Sequence, residues 1–137
     1  MRRIPLMVAA ALAVTALMVP AAAASTGTFK AQFQGDHGLI QGYGVVTTTI
    51  EITGFGPGSN DCPDSVTGIR VVTLRSDPSS TLTFALDGLL CDPLVAGTWT
   101  IVDGTGIFSG ATGMGTITGV LNFRMDVVQY RGTITIP

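Results

Sequence analysis

GTWTIVDGTGIFSGATGMGTITG, residues Gly97 to Gly119, carries two strand signals with a glycine-rich turn between them. Trp99 and Ile101 alternate with Thr98 and Thr100, the period-two pattern of a strand with one buried face. Asp103 and Gly104 are turn residues. Beyond them Ile117, Gly119, Leu121 and Phe123 make another face. The intervening glycines permit left-handed or bulged backbone, and Phe108 and Ala111 are placed to pack inward as the sheet turns over. The unit reads as strand, turn, strand.

The same period runs outward to both ends of the chain. Phe29, Ala31 and Phe33 alternate with polar neighbours, as do Val46, Thr48, Ile50 and Ile52. Ile69 and Val71 begin a strand that runs to about Arg75. Leu82, Phe84 and Leu86 form another face, and Val128, Tyr130, Ile134 and Ile136 the last. Turn residues separate these runs at Gly35 to Gly38, Gly54 to Ser65, Ser76 to Ser79, and Asp92-Pro93. Glu51 falls out of phase with Ile50 and Ile52 and is expected to face solvent. The stretch from Leu39 to Ile52 reads as one long strand, bent at Gly42 and Gly44. Seven or eight short strands with no helix between them imply antiparallel neighbours, in a closed barrel or a two-layer sandwich.

The first residues belong to something else. Arg2 and Arg3 precede an apolar run from Ile4 to Val19, then Pro20 and a small-residue Ala22-x-Ala24 end. These are the three parts of a signal peptide, so residues 1–24 are expected to be removed and residues 25–137 to form a single exported domain, secreted and extracellular. The run is short for a membrane span, and no basic stop-transfer cluster follows it, so no membrane association is expected after cleavage. The 137-residue chain has a formal charge of −2, and the mature part keeps five basic residues against nine acidic ones, a charge of −4. Scattered bases on an acidic chain make no footprint for nucleic acid or anionic membrane. Oligomeric state is left open.

Two cysteines, Cys62 and Cys91, read as a disulfide in an exported protein. Their midpoint falls inside the turn Ser76 to Ser79. The two strands that fold at Asp77-Pro78 therefore carry both cysteines to one end, where the bond staples the open end of the hairpin. In an up-and-down barrel with one strand from Leu39 to Ile52, these are the second and fourth loops. The bond would also bring Asn60, Asp61 and Asp64 near Asp92. Four oxygen-bearing side chains on one rim could hold calcium, and Asp and Asn equally suit solvated turns.

Other chemistry finds little support. His37, the single histidine, sits in a glycine-flanked turn and lacks the setting of a catalytic triad. A zinc site lacks its nitrogen and sulfur ligands. Gly104-Thr105-Gly106 opens like a dinucleotide fingerprint, but no helix follows to meet a phosphate. No cofactor is expected and no catalytic residue is assigned.

The core Gly104-x-Gly106-x-Phe108-x-Gly110-Ala111-x-Gly113 resembles the signature of allene oxide cyclase and dirigent barrels, and Tyr130-Arg131-Gly132-Thr133-Ile134 looks like their last strand. The layout is most similar to small exported bacterial proteins of unknown role. The resemblance spans about the last 40 residues. It implies a small antiparallel barrel of about eight strands with an apolar lumen, and it carries no catalytic residue across. Phe29, Phe33, Phe84, Trp99, Leu121 and Tyr130 are the candidates to line that lumen around a small apolar or aromatic ligand, or simply to fill it. The alternatives are an enzyme of cyclase or dirigent type, which needs a buried acid or base, and a surface protein that contacts other proteins. The first testable expectation concerns export: intact-mass analysis of the protein recovered outside its producing cells should give a chain beginning at or near Ser25, and a retained Met1 would contradict the leader.

Overall fold

Alternation of Thr with Val, Ile, Leu and aromatic residues suits a pleated sheet that buries one face. The computed structural model describes residues 23–59, 61–121 and 126–137; residues 1–22, which hold most of the expected leader, and Asn60 and Phe123 lie outside them. Eight strands follow one another: β1 (Ser25–Gln34), β2 (His37–Ile40), β3 (Gly44–Pro57), β4 (Asp64–Leu74), β5 (Thr81–Cys91), β6 (Leu94–Gly104), β7 (Thr112–Leu121) and β8 (Asp126–Ile136). Each pairs antiparallel with its chain neighbours, and β8 returns to β1 from Ser25 opposite Ile136 to Gln34 opposite Val127. The sheet is therefore a closed antiparallel barrel, with one 3₁₀ turn at Gly106–Phe108 as its only helical piece among the described residues.

The barrel differs from the sequence reading in one strand. Leu39 to Ile52 is not continuous: β2 stops at Ile40, and a turn at Gln41 to Tyr43 leads into β3. Gly42 and Gly44 take φ of +86° and +110°, and the Tyr43 N–H donates to the Ile40 carbonyl at 3.0 Å. Positive φ reverses the chain instead of bending it, which glycine alone allows cheaply. The loop expected from Gly54 to Ser65 is shorter because pairing continues into it. β3 and β4 pair out to Pro57 opposite Asp64, past a bulge between Ile52 and Gly54. The cysteine-bearing segments are thereby the third and fifth connections, not the second and fourth, and still share one end.

β2 is only four residues long and pairs with β3 only over Gly44 to Thr47. From Thr48 onward the β2-facing edge of β3 has no strand partner among the described residues, although the Thr48 N–H reaches the Asp36 carbonyl at 2.8 Å. Glu51 is exposed on this edge, and the bulge sits further along it; charge and bulge are common means of discouraging edge-to-edge pairing.

The lumen is filled at one end only. Where the chain ends and the Asp77-Pro78 turn lie, Phe29, Phe84, Trp99, Phe108, Ile40, Leu82 and Val46 are almost completely buried. Burying each of the larger apolar side chains is worth about 1.5–3 kcal/mol. Gly115 lets the Trp99 ring lie against β7, because a Cβ there would stand 2.7 Å from Trp99 Cζ2 and closer still to the Arg131 carbonyl. The Trp99 indole N–H donates to the Thr116 carbonyl at 3.1 Å. The signature turn fits this end as read: Gly106 and Gly110 have φ of +59° and +71°, and Phe108 and Ala111 point into the core.

At the opposite end Cys62 and Cys91 form a disulfide with Cα atoms 4.1 Å apart. They lie just beyond the last β4–β5 pairs, Asp64 with Leu90 and Ser65 with Leu89. Chain-entropy arithmetic for a loop of this length gives about 3.6 kcal/mol. Replacing both cysteines by Ser should therefore lower the unfolding free energy by about 2–4 kcal/mol and leave the far-ultraviolet strand spectrum unchanged, as read by urea denaturation. Equal stability after complete reduction would overturn this role for the bond.

Candidate functional site

Inward-facing positions on the disulfide half of the barrel are smaller or fewer than on the filled half, and space remains. A cavity of about 300 Å³ opens there. Ile50, Ile52, Leu86, Leu90, Val95 and Val128 contribute its walls, and Phe55, Leu121 and Asp126 stand around the mouth. Phe55 is 75% exposed, an apolar side chain left in water at the rim. Ile50 and Ile52 lie in phase with the buried Val46 and Thr48, yet both remain exposed because the lumen beside them is open.

The six residues expected to line the lumen or to fill it divide. Phe29, Phe33, Phe84 and Trp99 fill the barrel instead of lining a cavity, because their rings close on one another. Phe29 lies 5.8 Å from Phe84 and 5.1 Å from Trp99 between ring centroids, and Phe84 meets Trp99 edge-on at 5.4 Å. Tyr130 belongs to both halves: it stacks on Trp99, meets Phe84 and Phe33 edge-on, and faces the cavity. Leu121 is 38% exposed and stands where cavity and solvent meet. Such ring pairs are worth about 0.5–1.5 kcal/mol each beyond simple burial, so the aromatic cluster makes a stiff floor.

The residue that gives the cavity its chemistry is Arg70. It lies on β4 with only 6% of its surface exposed. Its Nε–H donates to the Tyr130 hydroxyl at 3.0 Å, and Nη1 donates to the Thr48 hydroxyl at 3.1 Å. The guanidinium also lies over the Phe33 ring at 4.6 Å and 5.6 Å from the Tyr130 ring centre, near enough for cation–π attraction. No carboxylate pairs with it. All nine acidic side chains are among the described residues, and the one ion pair there joins His37 to Asp36 at the surface. Arg70 escaped the sequence reading because Ile69 and Val71 suggest the opposite phase for this strand. The inward row is Gly68, Arg70, Val72 and Leu74, and the alternating apolar pair Val72 and Leu74 is the signal that could have placed it.

Burial raises the Tyr130 hydroxyl above its usual pKa of 10.0, and the adjacent Arg70 charge and hydrogen bond only partly offset this. The ring is therefore a neutral phenol at neutral pH. The calcium candidates do not converge. Among the described residues no three His, Cys, Asp or Glu side chains come together to hold a metal. Asp64 and Asp92 border a surface hollow beside the disulfide, and Asp61 is not among its walls. The two loops are joined by the disulfide itself, which fixes their backbones without turning the carboxylates toward one point. Comparison with family models, with curated proteins and with solved structures found no match.

The phenol's raised pKa makes a signed prediction. A protonated Tyr130 stabilises the folded form relative to the unfolded chain, and that contribution is complete below pH 10 and fades as pH climbs through the folded-state value. Wild-type protein should lose stability above about pH 10 more steeply than Tyr130→Phe. At neutral pH the substitution should cost about 1–3 kcal/mol, because Arg70 Nε loses its acceptor. Denaturant melts across pH check both.

Proposed function

We propose that this protein is an exported binding barrel that takes up a small apolar or aromatic molecule in the disulfide half of its lumen. The observation that carries this reading is the half-filled interior: an aromatic floor closes one end, and apolar walls surround an open space at the other. Ligand sites are commonly of this kind, concave and mostly apolar with a few placed polar groups. The resemblance of the Gly104 to Gly113 turn to allene oxide cyclase and dirigent barrels points the same way, toward an apolar lumen. The disulfide agrees with an oxidising, extracellular setting.

Binding fits these residues better than catalysis of the cyclase or dirigent type. Such an enzyme needs a buried acid or base; the carboxylate beside the cavity, Asp126, is exposed at its mouth, and the buried Tyr130 phenol is bound to Arg70 with its pKa raised by burial, which makes it a weak acid. A surface protein with a closed, filled barrel would leave the open half of the lumen without a role.

Gly88 supplies the test. It lies on the cavity wall, and an added Cβ would meet its neighbours only at 3.5 and 3.6 Å, ordinary contact distances. Gly88→Phe should therefore fold and occupy the lumen. Calorimetric titration with 2-(2-naphthyl)ethanol should give one site on the wild type and none on Gly88→Phe. Binding that survives the plug would place the ligand elsewhere.

A further inference from the structure

We infer that the natural ligand of this cavity carries a carboxylate on its apolar body, and that the carboxylate docks against Arg70. The inference rests on the lumen being a ligand site and names the chemistry that completes it.

The argument is one of donors and charges. A guanidinium only donates, with five N–H groups and no acceptor. Among the described residues its two side-chain bonds go to hydroxyl oxygens of Tyr130 and Thr48, which are neutral. A hydroxyl that accepts from Arg70 keeps its own proton free to donate, and neither the Tyr130 nor the Thr48 hydroxyl donates to another described side chain. Arg70 and Tyr130 line the cavity, so its polar corner offers hydrogen-bond donors and a positive charge, and no negative charge of the protein answers it. Asp126 shares the cavity, but at its mouth and outside ion-pair distance of Arg70. A cation placed in a largely apolar enclosure is costly unless an anion joins it. The surrounding rings offset part of that cost. A ligand carboxylate would supply the rest: it is planar, singly charged, and matches the fork of a guanidinium. A phosphate dianion brings more charge to desolvate among the same apolar walls.

Two matched pairs of probes test this by calorimetry at neutral pH: 2-naphthylacetate against 2-(2-naphthyl)ethanol, and decanoate against decanol. In each pair the acid should bind the wild type at least about tenfold more tightly than the alcohol. Arg70→Met should abolish that preference while the alcohol still binds, and Arg70→Lys should keep part of it. A merely structural arginine would lower both affinities together and leave their ratio unchanged. Should Arg70→Met fail to fold, the wild-type ratio and Arg70→Lys decide the matter. Equal binding of acid and alcohol to the wild type, or a preference that survives in Arg70→Met, overturns the carboxylate while leaving the lumen as a ligand site. No binding by any of the four probes overturns the lumen reading and the carboxylate with it.

Discussion

Pairing of β8 with β1, unbroken from Ser25 opposite Ile136 to Gln34 opposite Val127, is the constraint from which the rest of the interior follows. It turns an open sheet into a closed one, so every second side chain must enter a lumen of fixed width. An eight-stranded barrel is just wide enough for side chains to fill. On the closed half they do, with Phe29, Phe84, Trp99 and Tyr130 meeting across the axis. On the other half Gly68 and Gly88 leave the wall low, and a space of about 300 Å³ remains among the aliphatic side chains. The boundary between the two halves is polar, and Arg70 sits on it with Tyr130 and Thr48.

Most of the architecture was legible because period-two patterning is a direct record of closure. The aromatic row Phe29 to Phe33, the Asp77-Pro78 hairpin and the cysteine spacing each fixed a feature that the barrel shows. The bend assigned to Gly42 and Gly44 was located correctly but understood too mildly, since a sequence does not distinguish a glycine that bends a strand from one that reverses it. The site was less legible. The aromatic residues can be read as lining the lumen or as filling it, and period-two patterning does not separate the two; here Phe29, Phe84 and Trp99 close on one another, while Tyr130 and Leu121 border the space. Most of what lines the space is a set of ordinary aliphatic residues with no motif of their own. Arg70 was hidden by Ile69-Arg70-Val71-Val72, in which apolar residues occupy both phases and the strand can be read with either face inward.

The disulfide and the free edge of β3 belong to the same region. β3 beyond Thr48 leans on β4 alone, and β4 is held to β5 by pairing that ends where Cys62 and Cys91 join. The bond thus secures the wall of the mouth that has least support from the sheet. A barrel closed by a four-residue strand on that side keeps its lumen accessible there without breaking the ladder elsewhere.

Ser25 and Ile136 lie side by side, and Pro137 approaches Gly110 in the turn at the filled end. Both ends of the domain therefore leave from its base, with the whole depth of the barrel between them and the mouth. A carrier protein fused to either terminus, or a tether to a surface, would hold the barrel upright with its opening turned to solution. The same geometry lets the two ends be joined by a short linker and new ends be cut elsewhere, with the cup itself untouched.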